Sequence, residues 1–316
     1  MRSNPTKYTK FKKITFVTGG AGFIGSAYLN KYVPIYRNYL FINIDCLTYA
    51  GNKNNINISG YPNYFFEKVN ICDEKKLKKL FIKYKPTDII HFAAETHVDL
   101  SIKNQNIFIK TNIVGTNNLL VLSKEYKIKR FHMVSTDEVY GSLSDKTVTF
   151  TEKTILAPNN PYSASKASAE LLVRAYHKTF GLNTVITRSS NNYGPNQDIT
   201  KLIPLFINNL LKNKNLPIYG SGKNVRDWIY VEDNIIAINL VFHKAKAGST
   251  YNVSGNYELK NIDIAKKLIK LAGKTGKYIQ YVKDRPGHDY RYALNPDKIK
   301  RELVWHPKTN FISGLN

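Results

Sequence analysis

Residues 14–25, ITFVTGGAGFIG, decide the fold. Ile14 to Val17 is a short β-branched and aromatic run that reads as a buried strand, and the glycine-rich turn from Thr18 to Gly25 follows it directly. From about Phe23 the pattern becomes helical. Spaced glycines alone are weak evidence, but strand, turn and helix in this order are what a dinucleotide-binding unit requires. Gly19, Gly22 and Gly25 permit a tight turn, close approach of a pyrophosphate and close helix–strand packing, and the N–H groups at the helix start face the anion. The next strand, Leu40 to Ile44, ends at Asp45, about 20 residues after the last glycine, where a carboxylate hydrogen-bonds an adenosine ribose 2′-OH. A carboxylate there repels a 2′-phosphate, so the expected cofactor is NAD rather than NADP. The competing reading is a strand-end Asp that caps a turn.

The alternation continues outward from this unit. Tyr64 to Val69 reads as a strand, and a helix follows with Leu77, Leu80 and Phe81 at helical spacing. Asp88 to Phe92 and Arg130 to Ser135 are further strands, with Thr111 to Ser123 helical between them. Pro161 to Thr179 reads as a long helix and Asn183 to Arg188 as a strand. This pattern predicts an α/β fold, a Rossmann-type doubly wound parallel sheet covered by helices on both faces. Beyond Ser189 the chain is punctuated by Gly194-Pro195, Pro204, Pro217, Gly220 and Gly222. A smaller, interrupted α/β substrate-binding domain is expected there. Residues 1–188 with about 227–252 are assigned to the NAD-binding domain, and 189–226 with about 253–316 to the second. The segment from Tyr230 to Phe242 reads as a strand end plus a helix returning to the first domain.

With 316 residues the chain can bury a substantial core. Its net charge of +24 comes from lysines scattered along the sequence, which favours a lysine-rich surface over a nucleic-acid footprint. The segment 7–13 alone resembles a basic tail, with no apolar run behind it long enough for a signal peptide. No window has the apolar length of a membrane span. Cys46 and Cys72 are the only cysteines, and neither has metal-ligand spacing. A cytoplasmic protein is expected, with no metal, no nucleic-acid partner and no membrane partner.

Two groups of residues carry chemistry. Tyr162 and Lys166 share one face of a predicted helix. A neighbouring ammonium and an oxidised nicotinamide lower a phenol's pKa, so the Tyr can take a hydroxyl proton as hydride leaves. In a chain rich in Tyr and Lys this spacing also arises by chance, and its value comes from following a dinucleotide-binding half. Asp137 and Glu138 follow Thr136 near the carboxyl end of a predicted strand, where doubly wound sheets bind ligands. Taken alone they read as a solvated turn. On the cofactor rim, two carboxyls in opposite protonation states suit a dehydration, and Thr136 can hold a sugar hydroxyl.

The stretches TGGAGFIGS (18–26), LTYAGN (47–52), HFAAETHVDLSI (91–102), TNIVGT (111–116), STDEVYG (135–141) and PYSASKASAE (161–170) together resemble the nucleotide-sugar 4,6-dehydratases. The likeness is strongest to the dTDP-glucose 4,6-dehydratases of the extended short-chain dehydrogenase/reductase superfamily. It continues through SNNYGP (190–195), KLIPL (201–205), PIYGSGKNVRDWIYVED (217–233) and DRPGHDYRYA (284–293). The resemblance implies that Tyr162, assisted by Lys166, deprotonates the glucose C4 hydroxyl while NAD takes the C4 hydride. Glu138 then removes the C5 proton, Asp137 protonates the departing C6 hydroxyl, Thr136 orients the sugar, and hydride returns to C6. Asp137 must be protonated and Glu138 ionised, a split that close like charges promote. The product is a 4-keto-6-deoxy sugar nucleotide, a step of deoxysugar biosynthesis such as the rhamnose pathway, with NAD regenerated each turnover.

By the same resemblance the cofactor is lined by Gly19, Gly22, Phe23, Ile24, Gly25, Asp45, Cys46, Leu47, Thr48, Asn70, Ile71, Phe92, Ala93, Ala94, Thr96, Thr111, Tyr162, Lys166 and Asn192. The nucleotide-diphosphate-glucose would meet Thr96, Thr136, Asn191, Lys201, Leu202, Pro217, Ile218, Tyr219, Arg226, Asn261, Asp284, Arg285, Pro286, Gly287 and His288. Arg226 and Arg285 are the expected phosphate partners. A homodimer packing residues 104–123 and 161–179 against their symmetry mates is also implied. Asn70 stands where the family usually has an Asp, and Cys46 where a Lys is frequent. A last helix is expected to begin around Phe311 and run on past Asn316. An NAD-dependent nucleotide-sugar 4-epimerase or decarboxylase is the rival enzyme, but those relatives generally lack the Asp-Glu pair. A catalytically silent cofactor-binding scaffold is the rival from another class, at odds with the presence of all four reactive residues. Thymidine and uridine nucleotides are not separated by the sequence, and dTDP is preferred on family likeness.

Overall fold

The computed structural model describes residue 8, residues 10–145 and residues 147–315. Its strands are β1 (Lys13–Thr18), β2 (Tyr39–Asp45), β3 (Tyr64–Lys68), β4 (Asp88–His91), β5 (Arg130–Thr136), β6 (Thr184–Ser189), β7 (Asn191–Tyr193), β8 (Leu216–Tyr219), β9 (Val225–Tyr230), β10 (Ser249–Val253), β11 (Glu258–Lys260) and β12 (Ile279–Val282). The helices are α1 (Phe23–Ile35), α2 (Glu74–Tyr84), α3 (Val98–Lys103), α4 (Gln105–Phe108), α5 (Thr116–Glu125), α6 (Pro161–Phe180), α7 (Leu202–Leu211), α8 (Val231–Lys244), α9 (Asn261–Leu271) and α10 (Asp297–Leu303).

Seven strands form one sheet in the order β10-β6-β5-β4-β1-β2-β3, every neighbouring pair parallel. The apolar runs of the sequence explain it. All seven residues of β2 are buried, as a strand covered by helices on both faces must be. The strand order reverses between β1 and β4, and a ligand crevice opens outside the carboxyl ends at such a point. α8 returns to pack on α1, with the Tyr28 hydroxyl donating to Asn239 Oδ1 at 3.1 Å. β10 then closes one edge of the sheet.

Apart from α10, which packs on β10 and α8, most of the rest of the chain builds smaller sheets, β11-β9-β7 and β12-β8, against α7 and α9. Ile203, Phe206, Leu216, Ile218, Trp228, Ile264 and Phe311 form their separate core. β9 leads directly into α8, so the polypeptide crosses between the two regions there. Residues 311–315 form turns rather than the expected helix, because the Phe311 ring is drawn into this core against Tyr193 and Tyr257. The basic segment 7–13 is also only partly a tail. Residues 7 and 9 lie outside the described residues, but Tyr8 packs against Phe65 and Tyr84, and Lys13 opens β1 with its Nζ 3.1 Å from Asp88.

Helix α6 has strong end signals. Asn160 and Ser163 make a reciprocal capping box, Pro161 occupies the first turn, and Gly181 closes the helix at φ 68°. Its inward stripe includes Tyr162, Lys166, Ala169, Glu170 and Val173, so one helix supplies both core and candidate chemistry. Glu170 meets Arg188 of β6 in the interior, with Nε at 2.9 and 3.1 Å from its two oxygens, and Arg188 Nη1 donates to the Tyr140 hydroxyl at 2.6 Å. Replacing Arg188 with Met strands that carboxylate. Urea unfolding of Arg188→Met should show a loss of about 3–5 kcal/mol. A loss under about 1 kcal/mol would mean that the pair does not tie α6 to the sheet.

Candidate active site

A cavity of about 450 Å³ runs from the glycine turn along the carboxyl ends of the sheet to α6. At its first end Gly19 holds φ +71°, and a side chain there would strike the Ala93 backbone at 2.5 Å. A Cβ on Gly25 would lie 2.3 Å from the Gly19 carbonyl oxygen, so helix α1 meets the turn at a distance only glycine allows. Asp45 stands at the end of β2. Its Oδ2 accepts from Ala21 N at 3.0 Å and its Oδ1 from Leu47 N at 2.8 Å, which caps the turn, and the residue also faces the cavity. Of the residues expected at the cofactor, all line this cavity except Leu47, which holds the left-handed turn after Asp45 at φ 59°. Asn70 faces the cavity too, but its Oδ1 already accepts from Cys72 N at 2.8 Å.

The other end holds the residues expected to react. β5 delivers Thr136, which caps the single turn Asp137–Tyr140: its hydroxyl accepts from Glu138 N at 3.3 Å and donates to Asp137 Oδ1 at 3.2 Å. The acid pair is not a solvated turn. Asp137 Oδ2 and Glu138 Oε2 are buried with no hydrogen-bond partner, a costly arrangement unless something is to be bound there. Tyr162 and Lys166 of α6 line the same cavity.

Both carboxyls are pushed up, Asp137 the more strongly, for physical reasons. Burial pushes the Asp137 carboxyl well above its ordinary value, and the charges of Glu138 and Asp227 push further. Burial raises Glu138 too, but Arg285, Arg226 and Lys201 oppose it. Like-charge repulsion therefore contributes, as expected from sequence, but burial is the larger cause. Burial also raises the Tyr162 phenol well above 10, Glu138 adding to this and a Thr136 hydrogen bond opposing it. Lys166 is not among the leading influences on that phenol. Its Nζ donates to the Val134 carbonyl at 2.8 Å, and burial lowers it to about 8.

The expected sugar-nucleotide residues divide into two groups. Thr96, Thr136, Asn191 and Lys201 line the cavity. Leu202, Pro217, Ile218, Tyr219, Arg226, Asn261 and residues 284–288 lie outside its wall. Of these, Arg226 and Arg285 act electrostatically on Glu138. The Ile218 side chain is buried in the smaller core, so only its backbone is free for a ligand, whereas Tyr219 points outward. Arg226 is buried, stacks 4.2 Å from the Tyr292 ring, and donates to the carbonyls of Val225, Asp289 and Tyr290. Asn261 Oδ1 is buried without a partner. Asp284 accepts from Arg285 N and binds His288 Nδ1 at 2.6 Å, and Gly287 turns the loop at φ +63°.

One further residue, inside the TNIVGT stretch, organises the site. Asn112 lies in a π-helical stretch, Ile109–Gly115, where a plain helix was expected. Its amide binds the Glu95 backbone at both N (2.8 Å) and O (3.0 Å) and the Ser165 hydroxyl at 2.8 Å, and Ser165 donates to the Tyr162 carbonyl. The helix widens to turn this amide inward, a distortion concentrated at functional sites. An Asn in a helical run is the only sequence signal of it.

Because Asp137 is held above its ordinary 3.8, the folded protein keeps a proton that the unfolded chain releases as pH rises. Its carboxyl therefore costs stability above pH about 4, and increasingly so toward neutrality. Asp137→Asn should melt about 2–4 °C or more above the unmodified protein at pH 8, with a smaller gap at pH 5. Melting below the unmodified protein at both pH values would contradict this.

Comparison with known proteins agrees with this geometry. Residues 16–316 match the family described as GDP-mannose 4,6 dehydratase. A dTDP-glucose 4,6-dehydratase of Haemophilus influenzae is 47% identical over 320 residues, 95% of this chain and 94% of that protein. The crystal structure of a dTDP-glucose 4,6-dehydratase from Bacillus anthracis in complex with NAD is similar at TM-score 0.89 and 47% identity, covering 96% of this chain and 94% of the other. That of a dTDP-glucose 4,6-dehydratase from Streptomyces venezuelae with NAD and TYD bound gives TM-score 0.92 at 42% identity, with the same coverage.

Proposed function

The chain belongs to the nucleotide-sugar 4,6-dehydratase family of the extended short-chain dehydrogenase/reductases, and on that footing we propose that it converts dTDP-glucose to the 4-keto-6-deoxy-glucose nucleotide and water. The observation that carries this reading is the buried Asp137–Glu138 pair, with Asp137 raised well above its ordinary value and cations opposing the rise at Glu138, in one cavity with Tyr162 and Lys166. A 4-epimerase needs the Tyr and Lys but has no use for the acid pair. Thymidine is preferred to uridine on the names of the relatives, with UDP-glucose the alternative substrate.

NAD fits the cradle: the glycine turn leaves no room for side chains at positions 19 and 25, and Asp45 stands at the end of β2. When bound it supplies a reversible hydride acceptor, taking hydrogen from C4 and returning it to C6. The remaining chemistry falls to side chains. Tyr162 takes the C4 hydroxyl proton, for which its burial-raised pKa would have to fall; Lys166 on the same helix and a bound oxidised nicotinamide would supply the positive charge for that. The C4 ketone acidifies C5, and Glu138, whose burial-driven rise in pKa three cations oppose, removes that proton. Asp137, kept neutral by burial, gives its proton to the leaving C6 hydroxyl. Thr136 orients the sugar, and Arg226 and Arg285 take the diphosphate. We assign residues 1–188 with about 227–252 to the cofactor-binding part and 189–226 with about 253–316 to the nucleotide-sugar part, although Ile299 and Trp305 of that last stretch pack with Val185, Val241 and Tyr251. We place the enzyme in the cytoplasm, supported by its two free cysteines.

Incubation with dTDP-glucose should give the 4-keto-6-deoxy product with no net NADH. Glu138→Gln should lower kcat by about 10²–10⁴-fold and accumulate NADH absorbance on mixing, because oxidation at C4 then runs ahead of proton removal at C5. A C4 epimer as the only product would refute the reading. A homodimer is proposed as well, supported by exposed Ile107, Ile109, Val114 and Val121 on one helical segment and Leu171 and Phe180 on α6. Light scattering should give twice the chain mass, and a monomer mass would exclude it.

A further inference from the structure

At the rim of the cavity three side chains meet across the gap between the two regions. Asp99 lies on α3, beside the loop that carries Thr96. Tyr219 ends β8 and Arg285 follows β12, both in the smaller region. The Tyr219 hydroxyl donates to Asp99 Oδ2 at 3.3 Å, and Arg285 Nη1 lies 3.4 Å from Asp99 Oδ1. One carboxylate thus holds two segments distant in sequence, one oxygen for each. Lys201 makes a parallel tie across the same gap, its Nζ donating to the Thr96 carbonyl at 2.8 Å.

The way Arg285 is held matters more than the strength of the contact. A single ion pair at this distance, partly exposed on both sides, contributes little stability. It does fix the plane of the guanidinium. Nη1 is occupied by Asp99, while Nε is buried and has no partner. Nε and Nη2 share the side edge of the guanidinium, the edge that grips two oxygens of a phosphate in parallel. The same Arg285 is the foremost cation opposing the burial of Glu138, so the group lies where diphosphate and sugar adjoin. A carboxylate competing with phosphate would sit on that side edge; this one sits at the opposite corner.

We propose that Asp99 is a positioning residue that turns Arg285 edge-on to the substrate diphosphate and anchors Tyr219 beside it. The proposal rests on the nucleotide-sugar reading of the site. It assigns Asp99 no contact with the reacting atoms, so its loss acts on binding rather than on chemistry.

Calorimetric titration with inorganic pyrophosphate reads the Arg285 edge without base or sugar, and titration with dTDP adds the nucleoside. Asp99→Ala should weaken both by about tenfold, the size expected for losing an orienting charged hydrogen bond. KM for dTDP-glucose should rise in parallel while kcat changes by less than about twofold, the split expected when uniform binding is removed. Asp99→Asn keeps an acceptor for Tyr219 without the charge on Arg285 and should fall between. Bound NAD and melting temperature should be unaltered in both variants. In an Arg285→Ala background, Asp99→Ala should leave pyrophosphate affinity unchanged. Pyrophosphate binding in Asp99→Ala equal to or tighter than in the unmodified protein would overturn the proposal, as would an undiminished Asp99 effect without Arg285. An unmodified enzyme that binds pyrophosphate but does not convert dTDP-glucose would refute the dehydratase reading instead, and the pyrophosphate series would still decide the role of Asp99.

Discussion

The structure depends on the burial of two adjacent carboxyls under unequal electrostatic conditions. Chain connectivity gives Asp137 and Glu138 nearly the same location, and dehydration of both favours their neutral forms. What separates them is the supply of positive charge. Arg285, Arg226 and Lys201 oppose the burial of Glu138, whereas Asp137 has the charges of Glu138 and Asp227 against it and Arg226 in its favour. Those three cations come from the smaller, interrupted region of the chain, and the acids from the end of a sheet strand. Neither region sets the two carboxyls apart alone, so assembly of the two gives a polar turn the unequal acidities that the proposed acid and base need.

The parallel sheet provides the rigid half of this arrangement. β5 ends at Thr136 inside the sheet, one strand away from the pair at which strand order reverses. Helix α6, capped at both ends and tied inward through Glu170 and Arg188, sets Tyr162 and Lys166 opposite. Asn112 then fastens the loop after β4 to the same helix. A site on strand ends and one well-capped helix is held more closely than one on loops alone, as hydride and proton transfer require.

Much of this was legible in the residues. Apolar runs marked the first six strands because a sheet covered on both faces buries most of their residues, and the glycine turn was readable because Gly19 and Gly25 there admit no side chain. The cofactor end followed from that turn. Long-range polar geometry was less legible. No pattern announces that Asn112 widens its helix, since the cause is a backbone partner at Glu95 distant in sequence. Alternation along β8 sends Ile218 into a core that only exists once α7 and α9 are in place. Phe311 forms turns instead of a helix for the same reason: tertiary burial of one ring outweighs local preference. The dominance of burial over like-charge repulsion at Asp137 likewise depends on atoms from several segments.

The central claim is that one cavity removes hydrogen from C4 and returns it to C6 around an elimination run by Asp137 and Glu138. Turnover of dTDP-glucose carrying deuterium at C4 tests it most directly, with the position of the label read by NMR. The account predicts deuterium at C6 of the 4-keto-6-deoxy product. Deuterium retained at C4, or lost to water, would contradict it.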